Sequence, residues 1–172
     1  MKFLILKIIF FFLIINISQA NENIRFININ YIVNNSDAGK ILNKLIEKKN
    51  NEFTNELNKI GKSLEVKKNK IISQKNILKK EEFEKLIKEY DVEVKNFNEK
   101  RRKKNSELSN FTTKSKKKML DLLNPLIKNY LQKESIQILL QKEKIIFGDE
   151  KLDITKEILN SFNSNHKNVK FE

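Results

Sequence analysis

The side chains with chemistry to offer in this chain are cations. Lys100-Arg101-Arg102-Lys103-Lys104 sets five like charges in a row, and on a helix of about 3.6 residues per turn such a run wraps every side. Lys114, Lys116, Lys117 and Lys118 make a second patch, and Lys95 stands just before the first. Charges arranged this way attract anions over distance without imposing a fixed pose. The competing reading is an ordinary solvated helix face.

Catalytic chemistry has no comparable support. His166 is the only histidine, it lies in a polar tail, and the chain has no cysteine, so neither a base–nucleophile pair nor a metal-ligand set can be assembled. Gly39, Gly61 and Gly148 are the only glycines and stand far apart, which excludes a Gly-rich phosphate loop. Glu81, Glu82, Glu84, Glu89 and Asp91 crowd one helix start, and Lys67, Lys68, Lys70 and Lys75 crowd a helix end, as the helix macrodipole favours. The sequence therefore predicts no catalytic, cofactor-binding or metal site, and a binding protein rather than an enzyme.

The elements that must position these cations begin after an export signal. Lys2 supplies a positive start, Ile8 to Ile17 an apolar run, and Ser18-Gln19-Ala20 a small-x-small cleavage site, so residues 1–20 read as a cleaved signal peptide. The run is shorter than the roughly 20 residues a membrane-spanning helix needs. An exported domain without cysteines has no disulfides to lean on. Charged residues are 33% of the chain, with one proline and no tryptophan, a make-up of long charged helices rather than of a large core. The formal charge is +13, and it is concentrated in residues 37–133, which hold 26 basic against 14 acidic side chains.

Ile24 to Tyr31 alternates apolar and polar residues and predicts one half-buried strand. Asn34-Asn35-Ser36-Asp37 can cap a helix start. Phe53, Leu57, Ile60, Leu64, Lys67, Ile71, Gln74 and Leu78 then step by heptad intervals, and Phe83, Ile87, Tyr90, Val94, Phe97, Arg101, Lys104, Leu108 and Phe111 repeat them. These two seams predict an antiparallel hairpin over residues 37–133 with its tip near 76–80, pairing Ile71 with Tyr90, Leu64 with Phe97 and Phe53 with Leu108. Roughly 40 residues per arm give a length of about 60 Å. Lys67, Gln74, Arg101 and Lys104 sit where apolar residues belong and predict a thin, compliant seam. Asn124-Pro125 should interrupt the second arm, with Leu126, Ile127, Tyr130 and Leu131 continuing an apolar face. Ser135 to Leu140 and Lys144 to Phe147 read as a strand pair, and Ile154, Ile158, Leu159 and Phe162 as the face of a last helix capped by Asp153 or Thr155. Residues 21–36 and 134–163 thus form a β-rich base, and 164–172 a loose tail. The fold class is α+β and mostly helical, a coiled-coil arm on a small β association domain.

In the order of these features the chain resembles the Skp/OmpH family of periplasmic chaperones. The likeness rests on Ile24 to Tyr31 directly after a signal, the charged hairpin without cysteines, Asn124-Pro125-Leu126-Ile127 before Tyr130, the strand Ile136 to Leu140, and Leu152-Asp153-Ile154-Thr155 with Ile158-Leu159. It departs before Ile136, where the family often has Gly-Tyr and this chain has Glu134-Ser135. The resemblance implies a periplasmic homotrimer whose strands join in a central barrel, with arms around a cavity that holds unfolded outer-membrane proteins without ATP. On that reading Ile27, Ile29, Ile136, Ile138, Leu140 and Ile146 are candidates for the trimer core. The basic residues named above would then face clients, anionic lipid head groups or lipopolysaccharide. Association is also what a single chain with few short strands requires. Two other readings share some features. A coiled-coil spacer of the cell envelope would have the signal and the arms but no reason for strands at both ends of the hairpin. A nucleic-acid binder would suit the charge, but not the export signal or aromatic residues confined to the seam.

Overall fold

The computed structural model describes residues 23–171, so the signal expected at 1–20 lies outside the described residues. The elements run β1 (Ile24–Ile27), α1 (Ile29–Asn35), α2 (Asp37–Ser73), α3 (Lys80–Lys133), β2 (Ile138–Gln141), two short 3-10 turns (Lys142–Lys144 and Glu150–Leu152) and α4 (Thr155–Asn165). The molecule is a small base with a long helical hairpin standing on it, the mostly helical architecture that the heptad spacing predicts.

The expected strand over Ile24 to Tyr31 is half strand and half helix. Asn28 ends β1 in extended geometry and caps α1, its Oδ1 accepting from Tyr31 N at 2.7 Å. From there Ile29, Ile32 and Val33 follow helical spacing, and Ile32 and Val33 are buried. Capping by a short polar side chain outweighed a period-two pattern only a few residues long. Ser36 then caps α2, accepting from Gly39 N at 3.1 Å. The turn between α1 and α2 is so tight that a Cβ on Gly39 would lie 1.9 Å from Val33 O, which requires glycine there.

β1 and β2 pair in parallel, Ile24 opposite Ile138 and Ile27 opposite Gln141. Ile145 to Phe147 form no strand, so the expected hairpin of two consecutive strands is not formed; β2 takes its partner from the far end of the chain instead. The second flank of β1 is occupied by Asp153, bridged to Phe26, with Ile154 N donating to Phe26 O at 3.0 Å. The outer edge of β2 has no strand beside it among the described residues.

Pro125 does not interrupt the second arm: α3 runs through it to Lys133. A proline removes one N–H and strains one turn, but Leu123 and Ile127 on either side are buried in the core and hold the helix there. The helix ends in a left-handed residue, Ser135, at φ 52°, with Ile136 N bonded to Leu131 O at 2.9 Å and Glu134 N to Tyr130 O at 3.0 Å. This is the C-terminal cap that glycine usually makes.

The core sits wholly in the base. Ile27, Ile32, Val33, Ala38 and Leu42 meet Met119, Leu123 and Ile127 from α3 and Ile154, Ile158 and Phe162 from α4. The start of α2 and the end of α3 therefore belong to the base, and only the intervening helix stands free. The tail, expected to be loose, folds back: Val169 and Phe171 pack against this core, and Lys118 Nζ donates to Lys170 O at 2.9 Å.

Candidate functional site

In the free part of the hairpin only Leu64 and Ile71 are buried, so apolar packing along the arm is sparse. The seam register agrees with the spacing argument. Leu64 and Phe97 line one groove with Ile60, and a Cβ added at Gly61 would lie 4.0 Å from the Phe97 ring.

What the seam lacks in apolar contact it replaces with cross-arm polar contact. Lys67, one of the expected seam breakers, meets Glu93 at 2.7 Å. Lys104, another, lies 3.2 Å from Glu56 Oε2 and 4.5 Å above the Phe53 ring. Lys100 reaches the other oxygen of the same carboxylate at 2.6 Å. The hydrogen bonds from Lys100 and then Lys104 hold the Glu56 carboxyl below its ordinary range, slightly opposed by burial. Nearer the base, Lys49 lies 4.8 Å above the Phe111 ring. Lysine at these seam positions spans the gap with an apolar stem and an ionic tip. Gln74 is outside this pattern, since it caps the end of α2, and Arg101 points to solvent beside Leu57 and Phe97.

The five-residue basic run is thereby divided. Lys100 and Lys104, one helical turn apart, face the partner arm, while Arg101, Arg102 and Lys103 are exposed. Lys95, Lys114 and Lys116 are also exposed. Lys117 is drawn to Asp121 at 2.9 Å, and Lys118 is held by the tail. At the far end, the helices part around an open groove of about 730 Å³, floored by Val66, Ile71, Leu78 and Leu86.

The apolar candidates also divide. Ile27 is 1% exposed and belongs to the chain's own core. Ile29 is on α1 rather than a strand, and it and Ile136 pack half-buried against that core. Ile138 and Leu140 are 46% and 43% exposed on β2, and Ile146 and Phe147 are almost fully exposed. Four apolar side chains thus stand uncovered on or just after a strand whose outer edge is open. Phe147 and Glu56 escape a reading of composition alone, although the seam register does bring Glu56 beside Lys104.

Behind this edge a polar chain ties the base together. Asp153 Oδ2 accepts from Lys142 Nζ at 2.6 Å, its Oδ1 accepts from Thr155 N at 2.9 Å and also pairs with Thr155 Oγ1, and Thr155 Oγ1 accepts from Asn28 N at 2.8 Å. Burial pushes Asp153 upward, but the hydrogen bonds from Lys142 and Thr155 outweigh it and leave the carboxyl below its ordinary value. The same contact raises Lys142. Burial, followed by the charges of Glu157 and Glu134, raises Tyr130. These shifts belong to structural contacts, and no group of three or more His, Cys, Asp or Glu able to hold a metal occurs among the described residues.

The base thus carries an open strand edge and a long hairpin on which Arg101, Arg102 and Lys103 are exposed. The chain belongs to the outer membrane protein (OmpH-like) family, whose model matches residues 23–162. Among solved structures it is similar to a protein described as a candidate outer membrane chaperone (OmpH-like) from Caulobacter crescentus. The two share 16% identity over 90% of this chain and 92% of that one, with a TM-score of 0.78, a likeness of fold. No curated protein matches. No described helix is long and apolar enough to cross a membrane.

Proposed function

We propose that this chain is a periplasmic holdase chaperone that works without ATP. Residues 1–20 direct export and are removed. Three copies associate through their bases, and the three arms enclose unfolded outer-membrane proteins until these are inserted.

The observation that carries the reading is the open edge of β2 with Ile138, Leu140, Ile146 and Phe147 uncovered beside it. An exposed strand edge with apolar neighbours is a template for pairing with another chain. Copies of the same base supply such an edge in closed symmetry. Family membership and the fold shared with a candidate outer membrane chaperone support the same reading. The arm suits a holdase because its sparse apolar seam and polar crosslinks allow bending without unfolding. Exposed Arg101, Arg102 and Lys103 supply long-range attraction to acidic clients.

The test is light scattering from a denatured outer-membrane protein diluted into buffer with the processed chain. Suppression at equimolar trimer, unaffected by nucleotide, is expected; scattering equal to buffer alone would refute the proposal.

A further inference from the structure

We propose that residues 166–171 are a strap that ties the root of the hairpin to the base and limits how far the arm swings. From Asn163 to Lys170 the chain is polar apart from Val169, and Phe171 follows two residues later. In extended backbone residues two apart face the same side. Val169 and Phe171 accordingly pack half-buried against the core, while Lys170 between them is exposed. The family model ends at residue 162, so these contacts are made by residues beyond that match.

The place of the strap selects its role. α2 has no buried residue between Leu42 and Leu64, and α3 has none before Ser115, so the two legs of the hairpin leave the core near Leu42 and Ser115. Lys118 lies about one turn inside that exit on α3, and its Nζ donates to Lys170 O at 2.9 Å. The other leg is tied by Asn163, whose Oδ1 accepts from Asp37 N at the start of α2, also at 2.9 Å. One end of the strap is anchored where α4 stops: His166 N donates to Phe162 O at 2.8 Å, and the two rings lie 5.1 Å apart. The other end is held only by the exposed Lys118 bond and two half-buried side chains. A gap of about 500 Å³ lies between it and Lys118 and Leu122. An attachment of that kind lifts without unfolding the base, because local opening costs far less than global unfolding. Seated, it fixes α3 at its exit from the core; lifted, it leaves the arm to pivot there.

The proposal stands apart from the holdase reading, because its test needs no client. The chain has no cysteine, so Ser106→Cys on the arm and Lys156→Cys on α4, both exposed positions, accept a pair of spin labels in the processed full-length protein. Labelled chains are diluted into an excess of unlabelled ones, so that the distances read lie within one chain. The unaltered tail should give a narrow distribution. V169S/F171S removes two half-buried side chains and should raise the lifted population about tenfold or more, seen as a broader distribution. K118M keeps the stem and loses only the bond to Lys170 O, and should broaden it less. In both variants hydrogen exchange should quicken in residues 43–50 and 108–115 and stay unchanged in α4 and β1. A distribution as narrow in V169S/F171S as in the parent would overturn the proposal. So would broadening accompanied by faster exchange in α4 and β1, which would make residues 166–171 a part of the core rather than a strap, or a K118M variant with the parent's distances and root exchange.

Discussion

Replacing Ile138 and Leu140 by alanine should disassemble the protein without unfolding the single chain. Full burial of an Ile or Leu side chain contributes about 1.5–3 kcal/mol. Both residues are already about half covered within the lone chain, so an intersubunit contact can add about 1 kcal/mol at each. The double variant then loses about 2 kcal/mol per chain and about 6 kcal/mol per trimer, or roughly a 10⁴-fold change in the association constant. Because three chains combine, the total concentration at half assembly varies as the square root of that constant and should rise about 100-fold. Sedimentation velocity over a dilution series measures the midpoint, and circular dichroism checks the helices, which neither residue supports. A midpoint shifted less than about threefold, or loss of helix before dissociation, would show that the β2 face is not the contact.

Glu56→Gln removes the carboxylate shared by Lys100 and Lys104, so outer-arm amides should exchange faster while base amides stay unchanged. Because that carboxyl is held low, the contact is complete above its ordinary pKa and is lost as pH falls through the depressed value, so wild-type arms should loosen in the same way only in acid. Asp153→Asn breaks the contact with Lys142 and weakens the start of α4, and should cost about 1–2 kcal/mol in denaturant unfolding, a difference that disappears at pH low enough to protonate Asp153. Ser135→Gly relieves a left-handed residue at φ 52° and should stabilise the base by up to about 1 kcal/mol, seen as a higher thermal midpoint. Reversing Arg102 and Lys103 to Glu should slow association with an acidic unfolded client at low salt and have little effect at high salt, where the screening length falls below about 10 Å; stopped-flow fluorescence separates the two.

The hairpin was legible because heptad spacing is local and repeated: Leu64 and Phe97 line one groove, where counting places them, although the cation over the Phe53 ring is Lys104, one turn from the expected partner Leu108. The base was less so. Its sheet joins Ile24 to Ile138 across the length of the chain, and no local pattern states which strand a short apolar run will pair with. Ile145 to Phe147 have strand composition and no partner strand among the described residues, while Asn28 turned an alternating run into a capped helix. Pro125 is accommodated because Leu123 and Ile127 are buried, a tertiary fact that overrides a local one. At the candidate site the five basic residues look alike in sequence. Only the opposite arm, with Glu56 on it, distinguishes Lys100 and Lys104 from Arg101, Arg102 and Lys103. The departure at Glu134-Ser135 was visible in sequence, and the structure gives it meaning as a helix cap made without glycine.

Assembly through the bases and capture of an unfolded client between the arms can be tested together by one native mass measurement. The processed protein is mixed with one denatured outer-membrane protein as the latter is diluted from denaturant. The expected species is three chains plus client, which returns to three chains alone when the client is omitted. A folded monomer at micromolar concentration, or trimers that never carry client while the client aggregates, would contradict the proposed function.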